Sequence, residues 1–143
     1  MYSYGGTTIL WKSIKQTCVA ILSNHAEILA IHEANRECIW LRSVVHHILK
    51  TIVLKTEDLE PITLHEDNTA CIAQLKEGYI KGDMTKHISP KFFYTHELQK
   101  EGAISVKQVQ SNNNLADLFT KSLSSYTFQK LLIGIGMKRL KDL

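Results

Sequence analysis

The longest hydrophobic pattern in the chain predicts a helix of about 22 residues that begins near Ala26. Apolar residues recur at steps of three and four, as they do along one face of an α-helix. These positions are Ile28, Ile31, Ala34, Cys38, Leu41, Val45 and Ile48. Ser23 or Asn24 can cap this helix. That start would place Glu27 in or near the first turn.

Shorter patterns predict the remaining elements. β-Rich or alternating stretches at residues 7–13, 61–67 and 103–109 predict three strands, the second ending at Asp67. Helical patterns cover residues 68–78, 89–102, 112–123 and 126–137. Gly78 and Gly102 are expected stops, and Pro90 is expected near a first turn. Strands alternating with helices predict an α/β fold, a sheet flanked by helices.

Composition changes this picture little. A chain of 143 residues is expected to form one domain, here residues 1–143. Its core should be large enough to be stable without disulfides or bound metal ions. The formal charge of +3 permits a nucleic-acid partner without requiring one. Three widely spaced cysteines form no C-x-x-C pair, which favours a reducing compartment. Neither a secretory signal nor a long apolar run is visible, so an intracellular location with no membrane span is expected.

Three acidic residues stand at positions where α/β folds place functional groups. Asp67 ends a predicted strand, and Glu27 and Asp117 lie at predicted helix starts. Strand ends and nearby helix starts gather at one edge of such a sheet. Carboxylates gathered there repel one another unless a cation lies between them, and hard oxygen ligands suit Mg²⁺. The alternative is structural, because acids in a first turn also stabilise the helix dipole.

Two further groups of residues have both a functional and a structural interpretation. Lys81, Lys86 and His87 lie in a basic stretch that could contact phosphates or form an ordinary solvated loop. The larger aromatic residues are expected in the core rather than on a base-stacking surface. They are Trp11, Trp40, Phe92, Phe93 and Phe128.

Four segments together resemble the ribonuclease H domain of copia-type retrotransposon polyproteins, especially those of plants. They are WKSIKQTCVAILSNHAEILAIHEANRECIWLR, EDNTACIAQLKEGYIKGDMTKHISPKFFYTHELQKEG, NNLADLFTKSL and FQKLLIGIGMKRL. They follow the family's order and cover nearly the whole chain. The resemblance implies that Glu27, in an AE motif, is a catalytic metal ligand. It implies the same for Asp67, in a DN motif, and for Asp117, in an AD-x-F-T-K motif. Lys81, Lys86 and His87 match the region of the family's TKH motif, which suggests nucleic-acid binding.

The resemblance also implies that one catalytic element is missing. The family's first carboxylate is an aspartate on a central first strand, and no Asp or Glu precedes Glu27 in this sequence. We therefore expect an N-terminally truncated ribonuclease H-like mixed sheet that lacks the usual first strand. Binding of Mg²⁺ or Mn²⁺ is expected to be weak or absent. The strands around Ile9 and Leu64 are expected to lack a neighbour, which would favour a homo-oligomer or an exposed sheet edge.

These observations predict a retrotransposon-derived domain whose ancestral activity is metal-dependent hydrolysis of RNA in RNA–DNA hybrids, with catalysis impaired. Two alternatives stay open. One is a weak nuclease in which an acid such as Glu66, or water, replaces the missing ligand. The other is a domesticated regulator without nuclease activity, which binds a host protein through its sheet edge or binds nucleic acid.

Overall fold

The computed structural model describes residues 1–13, 23–52, 60–80 and 86–137. The chain divides into two compact units. The larger unit comprises residues 16–108, and the smaller unit comprises residues 1–15 together with 109–143. Helices and small sheets alternate along the chain, which confirms the mixed α/β class and is consistent with a ribonuclease H-like fold. The single-domain assignment stays a prediction.

The larger unit begins with a helix that is longer than its pattern predicts. Helix α1 runs over Ser23–Thr51, 29 residues, and no acidic residue lies in its first turn. Glu27 therefore belongs to the second turn. Asn24 lies inside the helix, where its side-chain amide donates to Gln74 of the next helix instead of capping. The apolar stripe is buried at Ile28 and Ile31 but exposed by Ile48.

Two parallel strands form the sheet of this unit. β3 is Ile62–Glu66 and β4 is Ile104–Gln108, and they pair in register with Ile62 opposite Ile104. The Ile62 amide donates to the Ala103 carbonyl at 3.0 Å. Successive side chains alternate between the faces of a strand. One face therefore joins the core, whereas the other carries polar side chains, of which Thr63, His65 and Lys107 are exposed.

Two helices connect these strands, and local signals fix their ends. Helix α2 runs over Thr69–Glu77, between an Asn68 cap and a left-handed Gly78. A Cβ at Gly78 would lie 2.7 Å from Nε2 of His96, so both the backbone angle and the space require glycine. Helix α3 runs over Ser89–Lys100, with Pro90 in its first turn. These boundaries agree with the predicted ones.

The core of the larger unit lies between the helices and the inner face of the sheet. Its fully buried members include Ile28, Leu75, Phe92 and Ile104. A buried polar contact also crosses this core: the Asn35 side-chain amide of α1 donates to the Thr95 hydroxyl of α3 at 3.1 Å. Both residues are fully buried, so this hydrogen bond fixes how the two helices meet.

The smaller unit combines a hairpin, two 3₁₀ turns and a helix. Strands β1 (Tyr2–Tyr4) and β2 (Thr7–Leu10) are antiparallel and are joined by Gly5 and Gly6, both with positive φ. The 3₁₀ turns are Ser111–Asn113 and Leu115–Phe119, and helix α4 is Ser125–Gly134.

The predicted α-helix over residues 112–123 is wrong. The Asn114 side chain accepts from the Ala116 amide at 3.2 Å, and the chain forms short 3₁₀ turns there. Asparagine side chains that bond to nearby amides offer the backbone an alternative to an α-helix. The strand predicted over residues 7–13 also ends early, at Leu10.

The expectation that the larger aromatic residues lie in the core is wrong except at Phe92. Trp11, Trp40, Phe93 and Phe128 are all exposed. Adjacent helix positions face different directions, so Phe92 and Phe93 cannot both face the core of the larger unit.

Among the helices that the structure describes, none has the length and hydrophobicity of a transmembrane span.

Replacing Phe92 by alanine should destabilise the larger unit by about 3–5 kcal/mol, because the change leaves a cavity in a closed core. The neighbouring change Phe93→Ala is the matched control, since that ring is exposed, and it should cost below about 1 kcal/mol. Urea unfolding followed by circular dichroism measures both. Equal losses in the two variants would contradict the assigned core.

Candidate functional site

The C-terminal end of β3 holds Asp67 in a fixed position. The strand ends at Glu66, and Asn68 then caps α2 by accepting from the Ala70 and Cys71 amides at 3.0 and 3.1 Å. Asp67 is the single residue between the strand and the cap. Its backbone is therefore held from both sides, as the sequence predicted for a strand end followed by a helix start.

Glu66 is a buried carboxyl group beside Asp67. It shares the inner face of β3 with Ile62 and Leu64 and is only 6% exposed. Its Oε1 accepts from the Asn68 amide at 3.0 Å. The pKa of Glu66 is raised to about 7, mainly by burial and also by the charges of Glu27 and Asp67, against the lowering effect of the Asn68 hydrogen bond.

The same electrostatics show which predicted acids come together. Glu27 of α1 and Asp67 after β3 are both close enough to Glu66 for their charges to raise its pKa. We call Glu27, Glu66 and Asp67 the β3 acidic cluster. All three belong to the larger unit, and Glu27 and Asp67 are each partly buried. Two of the three predicted carboxylates therefore lie close enough to Glu66 to affect it electrostatically.

Asp117 lies in the smaller unit, within the 3₁₀ turn Leu115–Phe119. Its side chain is buried, and Oδ2 lies 2.9 Å from Nζ of Lys121, one turn further along the chain. The Lys121 amide also donates to the Asp117 carbonyl at 3.0 Å. A buried carboxylate needs such a partner, and here the partner is a lysine from the same short segment.

The donor chemistry of these acids suits a divalent cation, but their arrangement does not yet make a metal site. Carboxylate oxygens are the preferred ligands of Mg²⁺. Within the ranges that the structure describes, no three His, Cys, Asp or Glu side chains are arranged to hold a metal ion.

The predicted nucleic-acid contacts are only partly described. Lys81 lies outside the described residues. Lys86 and His87 are exposed in the turn that precedes α3, and the next residue, Ile88, is buried in the core of the larger unit. The turn is thus anchored at one end, and its two basic candidates face solvent.

Glu66 is a site residue that the motif resemblance does not include, and the sequence offers it only as a possible substitute ligand. The period of two along β3 is the signal that indicates its burial. Residues 62, 64 and 66 share one face of the strand, and the first two are isoleucine and leucine. That alternation implies an acid on the core side, where a carboxyl group is costly unless it is protonated or paired.

Comparisons with known proteins give plant transposon polyproteins. The chain is 27% identical over 143 residues to the retrovirus-related Pol polyprotein from transposon TNT 1-94 of Nicotiana tabacum. It is 26% and 27% identical to the corresponding polyproteins from transposons RE1 and RE2 of Arabidopsis thaliana. These matches cover 93–96% of this chain but only 9–10% of each polyprotein. The chain is therefore similar to a short part of a much longer protein.

The other two comparisons found nothing. No protein-family model matches the chain, and no solved structure matches it significantly. The homologues support a domain derived from a retroelement.

The raised pKa of Glu66 predicts a pH-dependent stability. The neutral carboxyl is favoured in the folded state, so its contribution is complete below the ordinary pKa of 4.5 and is lost as pH rises through about 7. As the pH rises from 5 to 8, the free energy of unfolding should therefore fall less in Glu66→Gln than in the parent. The difference should reach up to roughly 3 kcal/mol. Chemical unfolding in EDTA at several pH values measures this difference. The exposed Glu77→Gln is the control, and a parallel pH profile for Glu66→Gln and parent would refute the assignment.

Proposed function

We propose that the chain is a ribonuclease H-like domain from a copia-type retrotransposon polyprotein. Its ancestral activity is metal-dependent hydrolysis of the RNA strand in RNA–DNA hybrids, and these 143 residues by themselves are catalytically impaired. The main support is the β3 acidic cluster, in which the charges of Glu27 and Asp67 both raise the pKa of Glu66. These two residues come from separate segments of the chain, and the family resemblance implies that both are metal ligands.

The homologues support the same origin at a coarser level. They are retroelement polyproteins from plants, and they match nearly the whole chain. A hybrid nuclease is one of the activities that a retroelement needs when it copies RNA into DNA. The acids at the end of β3 favour this activity over the other activities of a retroelement polyprotein.

The proposed impairment has two supports. No Asp or Glu precedes Glu27 within this sequence, so the chain supplies three of the four carboxylates that the resemblance expects. The third of these, Asp117, forms an ion pair with Lys121 at 2.9 Å. Mg²⁺ or Mn²⁺ is the proposed cation, because both prefer oxygen ligands, and the proposed binding is weak.

A hydrolysis assay tests the proposal. The chain is incubated with a labelled RNA–DNA hybrid and Mg²⁺ or Mn²⁺, beside Asp67→Asn and the exposed control Glu77→Gln. Cleavage by the parent should be weak or absent, because the carboxylate set is incomplete. Efficient cleavage that Asp67→Asn abolishes and Glu77→Gln preserves would refute impairment and support a retained nuclease.

Glu66→Gln separates the weak-nuclease alternative in the same assay. If Glu66 supplies the additional carboxylate, its amide variant loses any residual Mn²⁺-dependent cleavage as completely as Asp67→Asn. If Glu66 is only a buried neighbour, cleavage by Glu66→Gln stays at the parent level. Activity that survives in Asp67→Asn identifies a copurifying nuclease rather than this chain.

A second candidate function is recognition of a partner strand. In the described residues β3 pairs only with β4, and the parallel ladder uses the backbone groups of residues 62, 64 and 66. The backbone groups of Thr63 and His65 therefore point to the opposite edge. We propose that this edge pairs with a strand of a second copy or of a host protein.

A proline variant tests this edge. Thr63→Pro removes an outward N–H group and leaves the donors that bond to β4, whereas Thr63→Val keeps the N–H group. Light scattering over a concentration series should give a mass above 16.3 kDa for the parent and Thr63→Val, and a lower mass for Thr63→Pro. A parent that stays monomeric at all concentrations would contradict self-association through this edge.

A further inference from the structure

Two exposed aromatic rings in the smaller unit form a stacked pair. The rings of Trp11 and Phe119 lie 5.6 Å apart between centroids, and their planes differ by 6°. Trp11 is 62% exposed and Phe119 is 40% exposed, so the pair is not part of a closed core. Trp11 follows β2, and Phe119 ends the second 3₁₀ turn, so two separate segments contribute the two rings of the stack.

This stack leaves ring faces open to a further planar group. Each ring uses one face for its neighbour, and the exposure of Trp11 leaves its other face accessible to solvent. Isolated exposed aromatic side chains are common and need no explanation. A pair of parallel, stacked rings from two segments is different, because a nucleobase can extend the stack.

The charge of the chain is concentrated in the same unit. Residues 1–15 and 109–143 carry seven Lys or Arg against two Asp, a formal charge of +5. Residues 16–108 carry ten basic against twelve acidic residues, a formal charge of −2. The overall charge of +3 therefore conceals a strongly basic smaller unit. Such asymmetry is typical of segments that contact polyanions.

Basic side chains also flank the two rings along the chain. Lys12 follows Trp11 directly, and Lys121 lies two residues after Phe119. The Lys121 ammonium is paired with Asp117 at 2.9 Å, so its charge is partly offset, but half of its side chain is exposed. Stacking rings beside basic residues are the combination that binds single strands with little sequence preference.

We propose that the smaller unit binds single-stranded nucleic acid, with an unpaired base stacked on the platform formed by Trp11 and Phe119. A duplex hides its base faces, so a single strand fits this platform better than a duplex of the same sequence. An acidic protein would satisfy the charge but not the flat aromatic pair. The inference goes beyond the proposed nuclease ancestry, because it requires neither a metal ion nor the β3 acidic cluster.

Fluorescence anisotropy with a short labelled oligothymidylate tests the platform. The measurement is made in EDTA and at low salt, so that hydrolysis and metal binding cannot contribute. Trp11→Ala should weaken binding at least about fivefold, and Trp11→Phe should retain most of the affinity, because a ring is still present. Tyr126→Ala is the matched control, since Tyr126 lies in the same unit, is 80% exposed and takes no part in the stack.

A second measurement does not depend on the alanine variant being folded. Trp40→Phe leaves Trp11 as the only tryptophan, and its fluorescence should be quenched when the oligothymidylate binds. Binding should weaken as salt increases, and the corresponding duplex should compete poorly.

Three outcomes would overturn the proposal. The first is no binding of the oligothymidylate at low salt, which would favour a protein partner for this surface. The second is an equal loss in Trp11→Ala and Tyr126→Ala. The third is binding without any change in Trp11 fluorescence. None of these outcomes bears on hybrid cleavage, so failure here and failure of the proposed nuclease ancestry are distinguishable.

Discussion

The parallel pairing of β3 with β4 is the contact on which the larger unit depends. It joins segments about 40 residues apart in the sequence, and α2 and α3 lie between them along the chain. Parallel strands require such a crossover, because a tight turn can only reverse the chain. The inner face of this pair supplies Ile104 and Val106 to the core. The C-terminal end of β3 then determines where Asp67 and the Asn68 cap lie. The position of the acidic cluster therefore depends on the sheet.

Much of the larger unit could be predicted because its signals are local. Asn68, Gly78 and Pro90 mark the ends of α2 and α3 through caps and backbone angles that depend on a few neighbouring atoms. The start of α1 could not be predicted in the same way, because Asn24 bonds to Gln74 of α2, a residue that is distant in sequence. The turns around Asn114 differ from the predicted helix for a local reason, since an asparagine run suits both a helix cap and a 3₁₀ turn.

The candidate site was predictable in its residue types but not in its electrostatics. Motif resemblance selected Glu27, Asp67 and Asp117, whereas the raised pKa of Glu66 depends on burial that only the folded chain creates. The ion pair between Asp117 and Lys121 has a spacing of four residues, but its burial also depends on tertiary packing. The exposed stack of Trp11 on Phe119 departs from the predicted core position of Trp11, because that prediction rests on the usual burial of aromatic residues.

The two units handle a buried acid in different ways. In the smaller unit a lysine within the same short segment lies against Asp117. In the larger unit Glu66 accepts a hydrogen bond from a backbone amide, and the two charges that raise its pKa, those of Glu27 and Asp67, have the same sign as its own. A proton is then the simplest way to relieve the repulsion, because the neutral carboxyl costs less to bury. This difference reflects packing against helices in one case and local ion pairing in the other.

The polar outer face of the β3–β4 sheet has a consequence for the behaviour of the chain at high concentration. Thr63, His65 and Lys107 are exposed there. Stacking of sheets into fibrils requires dry, tightly interdigitated side chains, and a lysine on such a face would have to lose its hydration. This polar face therefore disfavours the stacking of a second sheet, whereas pairing with another strand at the edge of the sheet stays possible. Assembly through this sheet should accordingly stop at small soluble species instead of proceeding to amyloid.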